Sequence, residues 1–184
     1  MKKNITGFLF ILILFAGCTF DYGGKGSEED ALPEIVMVNV EYVRVRSAGP
    51  LARIQAERFE RYEKQSMMKM QEVTFEQYSE NGEKVNIYGT AGRASLNIES
   101  GDIFMDDNVN LEIKSEDIIL ETYQLEWQDE SKNLYSGEND DVFIFRENGT
   151  KFTGTGLHAN TRTRMWEFLA NARGVYVHDE KDTE

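Results

Sequence analysis

Basic residues are scarce in this sequence, which has 20 lysines and arginines against 33 aspartates and glutamates and a formal net charge of −13. Binding to nucleic acid requires a basic face that neutralises phosphates, so we expect no nucleic-acid partner. Cysteine is also nearly absent. Cys18 is the only one, which excludes an intrachain disulfide.

Residues suited to catalysis are equally few. The two histidines, His158 and His178, have no set of partners that would suggest a metal site or a nucleophile. There is no phosphate-binding loop, nucleophile elbow or cysteine–histidine arrangement. Asp102, Asp106 and Asp107 lack the ligand pattern of a calcium loop, and we interpret them as solvated turn residues. We therefore predict no catalytic residues, no metal and no cofactor; the protein is not expected to be an enzyme.

The amino terminus has the features of an export signal. Two lysines precede an apolar run, Phe8 to Ala16, that is much shorter than the roughly 20 residues of a membrane-spanning helix. A glycine and Cys18 follow, as in the bacterial lipobox, whose cysteine is acylated. We predict a lipoprotein signal peptide at residues 1–17, acylation of Cys18 and a flexible tether at residues 18–33. The alternative is an ordinary signal peptide or a marginal membrane anchor with an incidental cysteine.

The body of the chain repeats turns at a nearly constant step, with alternating apolar residues between them. The turns are Glu80 to Gly82, Ser100 to Asp102, Lys114 to Glu116, Ser131 to Asn133, Glu147 to Gly149 and Thr161 to Thr163. Apolar pairs such as Val109 and Leu111 have one residue between them, as a pleated strand requires. This pattern predicts an all-β domain of stacked antiparallel hairpins at residues 34–178, followed by a charged tail at residues 179–184.

Two segments before this repeat need separate interpretation. Glu34 to Arg46 is valine-rich and predicts a strand, with Val36, Val38, Val40 and Tyr42 on one face. Leu51 to Gln71 has the composition of a helix, but its apolar residues do not keep a three–four spacing. We predict a hairpin for this segment, with a helix as the alternative.

Stacked hairpins offer two functional surfaces, an interior and two open end strands. Facing sheets that splay apart would leave an apolar channel for acyl chains, and an open edge can pair with a partner's strand. The candidate groove residues are Leu96, Ile98, Ile103, Met105, Val109, Leu111, Leu125, Trp127, Val142 and Ile144. The candidate partner edge is Arg173, Gly174, Val175, Tyr176 and Val177. From the residues alone, the same apolar positions fit an ordinary filled core equally well.

Several short segments occur in an order that resembles the LptC family of lipopolysaccharide export proteins. They are Gly49 to Ala56, Ala91 to Leu96, Gly101 to Met105, Asn108 to Val109, Gly154 to Leu157 and Ala172 to Val175. The similarity covers about Glu34 to Val177. It implies a twisted, open-ended β-jellyroll of the OstA/LptA/LptC type on the periplasmic side of the inner membrane.

The resemblance also implies a function. Such a domain receives lipopolysaccharide or a related glycolipid from the membrane subunits of an ABC transporter, and passes it along an apolar groove to a second jellyroll bridge protein. Family members commonly have one spanning helix, whereas this chain has a predicted lipid anchor. A structural or adhesive β-rich lipoprotein, with a filled core and no lipid transport, is the alternative.

Overall fold

A computed structural model describes residues 32–46, 49–79 and 81–178 of the chain. The predicted signal peptide, Cys18, most of the tether at 18–33 and the charged tail at 179–184 lie outside the described residues.

The described region consists of ten β-strands and one turn of 3-10 helix at Glu63–Gln65. The strands are β1 (Ile35–Arg46), β2 (Gly49–Tyr62), β3 (Met67–Tyr78), β4 (Val85–Asn97), β5 (Ile103–Ile113), β6 (Ile118–Gln128), β7 (Asn133–Ser136), β8 (Asp141–Arg146), β9 (Lys151–Asn160) and β10 (Met165–Val175). The predicted all-β fold is confirmed. The hairpin prediction for Leu51 to Gln71 is also confirmed, because β2 and β3 pair antiparallel across this segment.

The strands form one antiparallel sheet in the order β1-β2-β3-β4-β5-β6-β7-β9-β10. The short strand β8 is outside this path and, like β7, pairs with β6 and β9. The first and last strands, β1 and β10, therefore form the two open edges of the described sheet.

Tight turns connect the strands at the predicted positions. Gly82, Gly101 and Gly149 have φ values of 73°, 79° and 89°, which residues with a Cβ adopt at a cost. Each of these glycines lies in one of the turns predicted from the sequence. The asparagine–glycine pairs therefore select the hairpin connections, as expected.

Interruptions of the strand pairing lie side by side across several strands, and the alternation of buried residues reverses there within individual strands. Buried residues lie three positions apart in four strands, at Ala56 and Phe59, Met70 and Val73, Ala91 and Ala94, and Thr122 and Leu125. In β5 the pairing shifts by a bulge at Asp107 and Asn108, whereas in β3 it skips Glu72 without a change of register; all three residues have positive φ values. Bulges bend strands and increase their twist. We call this line of interruptions the crease.

The two halves of the sheet, one on each side of the crease, share a single hydrophobic core. Met105 and Leu125 contribute to it from one side, while Val109 and Val142 contribute from the other. Leu125 and Val142 are completely buried. The strands thus bend at the crease so that both halves direct their apolar side chains inward.

Candidate functional site

Two parallel rows of apolar side chains cross the interior of the sheet on one side of the crease. The first, which we call the inner row, is buried and consists of Phe59, Met70, Ala94, Met105 and Leu125, each directly opposite the next. The second, which we call the lip row, is partly exposed and consists of Met68, Leu96, Ile103, Trp127, Leu134, Ala159 and Trp166. The lip row runs from β3 to the edge strand β10, a distance of roughly 29 Å at about 4.8 Å per strand.

The structure brings most of the predicted groove residues together in this interior. Leu96, Ile103 and Trp127 belong to the lip row, and Met105 and Leu125 belong to the inner row. Val109, Leu111, Val142 and Ile144 are buried on the other side of the crease. Ile98 lies elsewhere: β4 ends at Asn97, and Ile98 is 40% exposed in the following turn.

Part of each row was not among the predicted residues. Phe59 and Met70 extend the inner row, and Leu134 and Trp166 extend the lip row toward β10. Trp166 packs edge-on against Phe152, with ring centroids 5.2 Å apart. Phe59 lies three positions after Ala56, and Met70 lies three positions before Val73. A search for apolar residues at this three-residue step would have identified Phe59 and Met70.

Polar groups fix the orientation of Trp127 at the lip. Its indole N–H donates a hydrogen bond to Oδ1 of Asp129 at 3.3 Å, and Lys132 Nζ approaches the same carboxylate oxygen at 2.7 Å. Lys132 also lies 5.7 Å from the centre of the indole ring. The hydrogen bonds from Lys132 and then Trp127 lower the pKa of Asp129 below its ordinary value.

We expect replacement of Asp129 by asparagine to cost less than about 1 kcal/mol of stability at neutral pH, because the carboxylate is partly exposed and screened by solvent. Since the folded-state pKa is depressed, this contribution is present above the unfolded pKa and is lost as pH falls through the folded value. Urea unfolding at neutral and strongly acidic pH measures the difference. Asp117→Asn, at the exposed turn before β6, is the control; an equal loss in both variants, or a loss independent of pH, would contradict the expectation.

Three basic groups on the outer face of the sheet have partners within the protein. Arg58, Lys69 and Arg93 line a cleft there. Arg58 pairs with Glu60 at 2.7 Å, Arg93 forms two hydrogen bonds with Asp106 at 2.9 and 2.8 Å, and Lys69 lies 4.7 Å from an aromatic ring centre. The hydrogen bonds to Asp106, together with its charge, raise the pKa of Arg93. These basic groups are thus already engaged within the protein.

The two edge strands expose apolar side chains. In β1, Val38 is 62% exposed, and in β10 Val175 is 63% exposed. Of the predicted partner edge, Arg173, Gly174 and Val175 lie in β10, while Tyr176 and Val177 directly follow it. The segment remains attached to the sheet, because the backbone N–H of Val177 donates to Oγ1 of Thr150 at 3.0 Å.

Within the described residues, no cluster of three or more histidine, cysteine, aspartate or glutamate side chains is arranged to hold a metal ion. The same part of the chain contains no helix that is long and apolar enough to span a membrane.

Comparison with known proteins adds to this geometry. No curated protein sequence matches the chain at a significant level. Among solved structures, the chain is similar to LptH of Pseudomonas aeruginosa, described as the LptA homologous periplasmic component of the conserved lipopolysaccharide transport device. The TM-score is 0.54 at 15% sequence identity, and the similarity covers 69% of this chain and 95% of LptH. At this identity the similarity shows that the jellyroll fold is shared.

The sequence itself gives the more specific result. The profile of the family described as "Lipopolysaccharide-assembly, LptC-related" matches residues 8–177, which include every described strand. The chain therefore belongs to the LptC-related family of lipopolysaccharide-assembly proteins.

Proposed function

We propose that this protein is a membrane-anchored, periplasmic component of an export bridge for lipopolysaccharide or a related glycolipid. It receives lipid from the membrane subunits of an ABC transporter and passes it along the interior of the sheet to a second jellyroll protein. Family membership and the LptA-like fold support a periplasmic component of a lipopolysaccharide transport bridge. In this proposal, acylated Cys18 tethers the domain to the inner membrane.

The observation that carries the proposal is the continuous lip row. An acyl chain could lie along Leu96, Ile103, Trp127 and Leu134, and most of its length would then be removed from water. Each buried methylene contributes about 0.8 kcal/mol to the free energy of binding. The row is partly exposed over several strands and ends at Trp166, which is 45% exposed on β10. An apolar path that reaches the edge of the sheet suits a lipid that must leave the domain.

The charge of the chain limits which part of the lipid enters. With a net charge of −13, the protein repels the phosphates of a lipopolysaccharide head group. The basic side chains lining the outer cleft are engaged within the protein, so they offer the phosphates little compensation. The head group therefore stays outside the interior, screened by salt or bridged by divalent cations, while the acyl chains lie inside.

The open edges suit transfer between domains. Within the described sheet, β10 pairs only with β9 and β1 only with β2, so both edges present unpaired backbone groups. Edge strands of soluble proteins are usually protected by charges, proline or bulges. The pairing of β1 and of β10 shifts register once, yet Val38 and Val175 remain exposed on these strands. In the proposal, β10 and the residues that follow it pair with the first strand of the next jellyroll, and β1 faces the transporter.

Photo-crosslinking in cells tests both parts of the proposal. A photoreactive amino acid at Met105 or Trp127 is expected to trap glycolipid, whereas one at Val175 is expected to trap a protein partner. Phe104 is the matched control, because it neighbours Met105 in β5 but lies on the opposite face, across from Glu126. Trp127 is included because its partly exposed position accommodates a larger side chain better than the buried Met105.

If Met105 and Trp127 trap no lipid in the folded protein, or no more than Phe104, the interior is a filled core and the structural or adhesive alternative is favoured. If Val175 traps no protein while the interior traps lipid, β10 is not the edge that contacts the next subunit.

A further inference from the structure

One buried polar side chain in the interior has no hydrogen-bond partner. Among the described residues, Thr122 and Thr150 are the buried polar side chains. Thr150 Oγ1 accepts a hydrogen bond from the backbone N–H of Val177. Thr122 is only 7% exposed, and its Oγ1 is buried with no partner in the described part of the chain.

The surroundings of Thr122 are apolar. It lies on β6 directly opposite Val109 on β5 and Val142 on β8, which are 1% and 0% exposed. Leu125 of the inner row lies three residues after Thr122 in β6, on the other side of the crease. The Thr122 hydroxyl is thus an unpaired polar group whose cross-strand neighbours are apolar.

An unpaired hydroxyl at such a position destabilises the free protein. Buried polar groups are nearly always hydrogen-bonded, and one that is not loses its hydration without compensation. Valine has almost the same shape as threonine and, at this position, would continue the apolar row formed by Val109 and Val142. A bound molecule could therefore supply the hydrogen-bond partner that the Thr122 hydroxyl lacks in the free protein.

We propose that Thr122 recognises an oxygen substituent within an acyl chain, most directly a chain hydroxyl. This inference rests on the proposed function, because it requires an acyl chain in the interior. The ester and amide oxygens of a glycolipid lie next to its head group, which the net charge keeps outside. An oxygen at the depth of Thr122 must therefore lie along the chain itself. A hydroxyl suits this position because it can both donate to and accept from the threonine.

The test compares matched amphiphiles that differ by one hydroxyl. Binding of ricinoleate and oleate, and of β-hydroxymyristate and myristate, is measured with the purified full-length chain at concentrations below micelle formation. Two pairs are used because their hydroxyls lie at different depths. We expect at least one hydroxylated acid to bind wild type about fivefold more tightly than its partner, the factor expected for one hydrogen bond. Thr122→Val should remove this preference, and Thr122→Ser should keep it.

Thermal unfolding of the free protein gives an independent readout. Thr122→Val is expected to unfold at the same temperature as wild type or at a higher one, because no hydrogen bond is lost. Thr90→Val is the control: Thr90 pairs with Thr74 and Asn110 in a row of polar side chains. It should leave the preference for the hydroxylated acid unchanged.

Three results would overturn the inference. The first is equal affinity of wild type for both members of each pair, and the second is a preference that survives in Thr122→Val. The third is a marked loss of stability in Thr122→Val, which would mean that the hydroxyl already has a partner in the free protein. If wild type binds none of the four acids, the acyl-binding interior of the proposed function itself fails, and this inference fails with it.

Discussion

Replacement of Leu125 by alanine is expected to lower the free energy of unfolding by about 2–5 kcal/mol, the range for a large-to-small change in a well-packed core. Leu125 is 0% exposed and lies at the β6 end of the inner row, opposite Met105. Its removal takes apolar atoms out of the core and leaves a cavity among the residues that surround it. Since domains are stable by only about 5–15 kcal/mol, the loss is a large part of the total.

Urea unfolding followed by circular dichroism measures this change. Leu169→Ala is the matched control, because Leu169 is the same residue type but is 59% exposed on β10. We expect the control to stay within about 0.5 kcal/mol of wild type. Similar losses at the two positions would show that the interior around Leu125 is not tightly packed in the free protein.

Replacement of Gly154 by alanine is expected to cost about 1–3 kcal/mol, because β9 and β10 approach too closely at this point for a side chain. A Cβ at Gly154 would lie 2.3 Å from Cγ and 2.8 Å from Cβ of Phe168. These atoms are close to the backbone of β10, so a rotamer change cannot relieve the overlap. The edge strand itself would have to move.

A double-mutant cycle with Phe168→Ala tests this cause. Without the ring, the added methyl group at position 154 meets fewer atoms, so the alanine substitution should cost less in the Phe168→Ala background than in wild type. Thermal unfolding of wild type, the two single variants and the double variant gives the coupling energy between positions 154 and 168. Additive effects at the two positions would mean that the close contact with the ring does not explain the glycine.

The strands and turns could be predicted because their signals are local. Asn81-Gly82 and Asn148-Gly149 select a backbone conformation at the residues themselves, and alternation identifies a strand within a few positions. In β9, the ring of Phe168 occupies the space that a side chain would take at Gly154, which is a side-chain contact between strands.

The crease could not be predicted, and the errors follow from it. Val36, Val38, Val40 and Tyr42 were predicted on one face of β1, which is wrong. Met37 pairs with the buried Phe59 and Val40 pairs with the buried Ala56, so the inward face changes at Asn39, whose φ is 51°. Where the pairing is interrupted depends on the neighbouring strand, and this information is not present in the local sequence.

The same cause explains the ambiguity of Leu51 to Gln71. Its apolar residues matched neither helix nor simple strand because Ala56 and Phe59 are both buried although an odd number of steps separates them. An alternation that is interrupted once, at the crease, describes the observed burial in β2, in β4 and in β6, and across Met70 and Val73 in β3. Residues on each side of the crease keep the period of two within their own half.

The order of the strands has a consequence for how the chain folds. Each of the first six strands pairs with the strand that precedes or follows it in sequence, and only the β7–β8 insertion departs from this order. Every new strand can therefore add to an existing edge after closing a short loop, at a small cost in chain entropy. Assembly can proceed hairpin by hairpin from any strongly paired nucleus, as in repeat proteins, rather than waiting for distant parts of the chain to meet. Within the described sheet, β10 is added to β9 and its other side stays unpaired, so the edge at which the last strand is added is also an edge of the folded sheet.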